Sequence, residues 1–114
     1  MSLLPPDRVF MGDMLEWARR AQHFVAGLSE DQFLHDERTQ SAVIHALIVI
    51  GEAATRVTDD SQAELAAIPW HAIRGMRNRL AHDYSGIDID EVWRSVSVNV
   101  PALVAALEAA LART

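Results

Sequence analysis

"AVIHALIVIGEAA", residues 42–54, is apolar on almost every side when wound as a helix. A surface helix carries one apolar stripe; a helix that is apolar nearly all round belongs at the centre of a bundle or in an interface. The run lies inside a longer helical segment expected from about Asp36 to Thr58. This segment decides the fold class, because the rest of the chain must supply the helices that cover it.

Upstream, "DRVFMGDMLEWARRAQHFVAG" (7–27) follows Pro5 and Pro6, which suit a first helical turn, and places Val9, Met14, Trp17, Ala21 and Phe24 roughly on one face. Gly27 ends that helix. Ser29 opens a short second segment as an N-cap, and Gln32 three residues on completes a capping box. Downstream, "TDDSQAELAAIP" (58–69) is a connection with room for one helical turn. Pro69 starts a further helix, "PWHAIRGMRNRLAHDY" (69–84), and "SGID" (85–88) is a turn. Asp88 or Asp90 caps a last helix to about Arg113, which Pro101 should kink. No stretch alternates like a strand, and no hairpin dipeptide separates two apolar runs. The expected fold is one all-α domain over 1–114: an antiparallel four-helix bundle with a short extra helical turn and a kinked last helix.

The 114 residues include no cysteine, so neither a disulfide framework nor a thiolate metal site can form. Apolar runs such as "AVIHALIVIG" are far shorter than a membrane span, and "MSLLPPDRVF" lacks the basic and apolar regions of a signal peptide. A soluble cytoplasmic protein is expected. Net charge is −6, and every basic residue is an arginine. The chain therefore lacks the broad positive field that drives non-specific nucleic-acid binding. Phosphate recognition has to be local, and Arg74, Arg77 and Arg79 are the densest group of cations.

Those arginines border "RNRLAHDY" (77–84), which holds an arginine, an asparagine, a histidine and a tyrosine within eight residues. On a regular helix Arg77 and Tyr84 share a face, as do Asn78 and His82, whereas Arg77 and His82 diverge by about 140°. Arg77 and His82 can meet if the helix unwinds near His82 or if one of them comes from a second subunit. The residue types suit phosphoryl chemistry on RNA. A guanidinium fork stabilises a charged phosphorane, and an imidazole moves a proton off the ribose 2′-hydroxyl or onto the leaving oxygen. Neither step needs a metal or another cofactor, and no metal-ligand cluster is visible in the sequence. An Arg and a His at this spacing also occur by chance in many helical proteins.

"MRNRLAHDY" (76–84) resembles the R-x-x-x-x-H-x-Y signature of the HepT-like toxins of the HEPN superfamily. "FLHDERTQSAVIHALIVIGEAA" (33–54) is similar to that family's second-helix region, "IPWHAIRGMRN" (68–78) to its approach to the motif, and "IDIDEVWRSVSVNVPAL" (87–103) to its closing helix. The resemblance implies a HEPN-like bundle that forms a homodimer and acts as a metal-independent ribonuclease toxin on an RNA such as tRNA or mRNA. Arg77 and His82 match the catalytic pair, Asn78 the polar residue beside it and Tyr84 the motif tyrosine. The implied partner is a minimal nucleotidyltransferase antitoxin of the MntA type, which adenylylates that tyrosine.

Other residues have two readings each. His45 reads as a hydrogen-bonded core or interface histidine rather than a catalytic one. Glu52 can pair with Arg56 one turn on, or orient an arginine of the motif helix. Trp70 reads as core, with base stacking as the alternative, and His71 could line the same groove. His23 and His35 read as solvated surface, and the acidic cluster around Asp59 and Asp60 as a solvated connection, with contact to a basic partner as its alternative. Two further functions fit the same residues: a non-catalytic helical partner that presents substrates to a nucleotidyltransferase, and a scaffold with a dead site.

Overall fold

The computed structural model describes residues 3–82 and 86–113, and among them every regular element is a helix. Helix α1 runs Pro5–Val25, with its prolines in the first turn, where missing N–H groups cost nothing. Its buried stripe is Asp7, Met11, Met14, Leu15, Ala18 and Ala21. Val9 is 61% exposed and does not belong to that stripe, while Trp17 and Phe24 lie at its edge. The buried aspartate disguised the true phase of the helix. Gly27 turns the chain out of α1 at φ +79°, a left-handed conformation that glycine adopts without strain.

The capping box forms as the sequence predicts: Gln32 N–H donates to Ser29 Oγ at 3.1 Å, and Ser29 N–H to Gln32 Oε1 at 2.9 Å. It starts α2, Glu30–Leu34, whose Phe33 is fully buried. Asp36 caps α3, Glu37–Arg56, by accepting from the Thr39 N–H at 3.1 Å. α3 lies between α1 and α5. It buries Val43, Ala46, Leu47, Ile50, Gly51, Ala53 and Ala54 but leaves Ile44, Ile48 and Val49 half-buried and His45 exposed.

Thr58 caps the short α4, Asp59–Glu64, and α5 follows Pro69 as Trp70–His82. Asp88, rather than Asp90, caps α6, Ile89–Arg94, accepting from the N–H groups of Asp90 and Glu91 at 3.0 and 3.3 Å. A π turn, Ser95–Asn99, then leads into α7, Val100–Leu111. The disturbance expected at Pro101 takes this form. Proline cannot donate to the carbonyl four residues back, and its ring crowds that carbonyl. In the turn just before it, the Val100 N–H reaches back five residues to Ser95 O.

α7 packs on α1, and Arg8 secures the pair by donating to the carbonyls of Leu111 and Arg113 at 2.8 and 3.0 Å. By length and composition alone, Ile89–Leu111 is apolar enough to cross a membrane, which the short apolar runs of the sequence did not suggest. Its buried residues (Val92, Val96, Val100, Leu103, Val104, Leu107 and Ala110) recur at three- and four-residue intervals, the pattern of a helix that buries one face in a bundle.

Candidate functional site

Arg77 lies on the side of α5 that faces α3. Its Nε–H donates to Glu52 Oε1 at 2.9 Å, and a terminal Nη2–H donates to the same oxygen. Its other terminal nitrogen, Nη1, donates to Asn78 Oδ1 at 2.8 Å. The guanidinium is thus fixed by a carboxylate from across the bundle and by its own chain neighbour. The pairing of Glu52 with Arg56 does not occur; its partner is the motif arginine, 25 positions away in sequence.

Gly51 makes this approach possible. A Cβ on residue 51 would lie 2.2 Å from Arg77 Cβ and 2.6 Å from Arg77 Cγ, well inside van der Waals contact. The arginine stem therefore rests on bare backbone of α3 while its head meets the next residue. In the sequence Gly51 is one more small residue in an apolar run, and nothing local marks it as a receptor for Arg77.

The neighbouring cations are also engaged. Arg74 donates to Gln62 Oε1 at 2.6 Å, which ties α5 to α4. Arg79, more exposed, meets Glu91 of α6 at 2.7 Å. Trp70 is buried and its indole N–H donates to Leu65 O at 3.1 Å, so its ring is core and not a surface for base stacking. His71, Asn78 and His82 are exposed on α5. His45 is exposed too, not core, with its ring edge-on to Trp17 at 5.2 Å between centroids. His23 and His35 are at the surface, as are Asp59 and Asp60.

α5 continues as a helix through His82, so the chain does not unwind to bring that imidazole round to Arg77. The two side chains leave one helix about 140° apart. Tyr84 lies outside the described residues. Among those described, no three His, Asp or Glu side chains converge as a metal site.

No solved structure matches the chain. A Thermococcus cleftensis protein whose name includes "ribonuclease HepT" is 34% identical over 94 residues, covering 82% of this chain and 86% of its own length. Two Methanocaldococcus jannaschii proteins whose names carry the word RNase are 36% and 33% identical, covering 82% and 84% of this chain and 78% and 88% of their own. The family model described as "Ribonuclease HepT-like" matches residues 14–110, a span that takes in α3, α5 and the motif between Arg77 and Tyr84. With an all-helical bundle and the arginine–histidine motif on its fifth helix, the chain belongs to the ribonuclease HepT-like family.

Proposed function

We propose that this protein is a metal-independent endoribonuclease that works as a toxin. The observation that carries the reading is Arg77, a motif arginine held by Glu52 and Asn78 and backed by Gly51, in a HepT-like chain. In the reaction, His82 takes the proton of a ribose 2′-hydroxyl, whose oxygen attacks the adjacent phosphorus. The bond from phosphorus to the 5′-oxygen breaks, and that oxygen takes up a proton from water, to which His82 returns the one it took. Arg77 stabilises the extra charge on the phosphorane. The products are a 2′,3′-cyclic phosphate and a 5′-hydroxyl.

A homodimer completes the site in this reading. One regular helix cannot aim Arg77 and His82 at the same phosphate, so a second copy brings its own motif alongside. Tyr84 is the regulated residue, and a MntA-type nucleotidyltransferase adds AMP to it. The added phosphate competes with the RNA backbone for the arginines of the motif.

Expression in a bacterial host tests the reading. Wild-type protein should arrest growth and degrade RNA, including in lysate treated with excess EDTA. Arg77→Ala and His82→Ala should each abolish both effects while the protein stays folded by circular dichroism. Harmless expression of the wild type would instead support a non-catalytic partner of the nucleotidyltransferase. Tyr84→Phe should stay toxic when that enzyme is co-expressed, and full neutralisation of this variant would mean inhibition by binding alone.

A further inference from the structure

We infer that Gly51 and Glu52 form a cradle that aims Arg77, so that the end of its guanidinium, and not the side, meets the RNA phosphate. A guanidinium carries five N–H groups. The Nε–H and one Nη2–H are on Glu52, and one Nη1–H is on Asn78. Among the described residues, one N–H is left on each terminal nitrogen. That is a two-pronged donor matched to two non-bridging oxygens of one phosphodiester. The side edge, the other face an arginine can offer an anion, is taken.

Glu52 is thus a positioning residue: it touches Arg77 and need not touch the substrate. Gly51 lets α5 settle so close that the Arg77 stem lies directly against the α3 backbone, next to Glu52. The carboxylate also offsets the arginine's charge. The site must then hold RNA by directed hydrogen bonds more than by electric field, in keeping with a chain of net charge −6. Aim and charge can be separated experimentally, since glutamine keeps an acceptor oxygen and loses the charge.

The activity arm of the test rests on the ribonuclease reading; the spectroscopic arm does not. In the activity arm, cleavage of a fluorophore–quencher RNA strand of mixed sequence is followed for wild type, Glu52→Ala and Glu52→Gln. Glu52→Ala should lower kcat at least tenfold with KM within about threefold of wild type. Glu52→Gln should recover kcat to within about threefold of wild type and lower KM, because Arg77 is then aimed but uncompensated. In the spectroscopic arm, the Nε–H resonance of Arg77 is observed in ¹⁵N-labelled protein without RNA and assigned by its absence in Arg77→Lys. It should be shifted and slow to exchange in wild type, and should move toward the free-arginine position in Glu52→Ala.

Unchanged kcat in Glu52→Ala, or a Gln variant as slow as the Ala variant, overturns the inference, and so does an Arg77 resonance indifferent to residue 52. An inactive wild type with the resonance shifted and dependent on Glu52 would refute the ribonuclease reading and support the cradle.

Discussion

Asp7 shows what a single buried carboxylate does in this bundle. Only 1% exposed, it accepts from the Thr58 N–H at 3.0 Å, the Thr58 hydroxyl at 2.7 Å and the Ser61 hydroxyl at 2.6 Å. Burial pushes its pKa up, but the Ser61 hydroxyl and the two Thr58 donors together outweigh burial and hold it below the usual carboxylate value. A depressed folded pKa contributes stability above the ordinary aspartate range, and the contribution disappears as pH falls through the folded value. Asp7→Ala should cost about 2–3 kcal/mol near neutral pH, since it leaves the buried Ser61 hydroxyl without an acceptor and sends the Thr58 donors to water. Urea denaturation at pH 7 and pH 3 checks this: the gap between variant and wild type should narrow at the lower pH. An equal gap at both would mean that the interaction does not depend on the carboxylate's charge. Asp36, which Thr39 also holds below its usual range, adds to the same acid sensitivity.

Between elements, the α3–α5 contact is the one most sensitive to size. Gly51→Ala should destabilise the protein by about 1–3 kcal/mol as the added methyl pushes α5 away. In an Arg77→Gly background the same change should be neutral or stabilising, because the colliding Cβ and Cγ are gone and alanine is the better helix former. Additive costs in that double-mutant cycle would show that the two residues do not touch. Here lies the boundary of what the sequence made legible. The Ser29–Gln32 box, the start of α3 near Asp36 and the start after Pro69 are local, three or four residues wide, and can be read directly, whereas Asp88 and Asp90 are both plausible caps until the backbone is seen. The pairing of Glu52 with Arg77 depends on how two helices dock and has no local mark, so it stood as one of two options. The π turn has no mark in the spacing: Val92, Val96 and Val100 are four apart, as on the buried face of any α-helix. The expectation of a proline kink located the disturbance without its form.

At the scale of the whole molecule, charge sets how RNA binding should respond to salt. With ten arginines against sixteen acidic residues, and Arg74, Arg77 and Arg79 each engaged by a neighbour, few phosphates can be neutralised. Binding of a non-cleavable 2′-O-methyl strand, followed by fluorescence anisotropy, should fall with salt at a log–log slope of about −1 to −2. A slope near −5 would reveal a positive surface that the monomer does not show. The pairing of α1 with α7 matters in a different way, for the order of events during synthesis. The bonds from Arg8 to the carbonyls of Leu111 and Arg113 span 103 and 105 positions, so the side of α1 that packs on α7 waits for the last helix before it is covered. At about 5–20 residues per second, that wait is roughly 5–20 s on the ribosome. Helices α3 and α5, which carry the Glu52–Arg77 pair, emerge well before the closing helix. Nascent chains stalled before Val100 should therefore leave the α7-facing side of α1 open to chaperones, whereas released full-length protein should not.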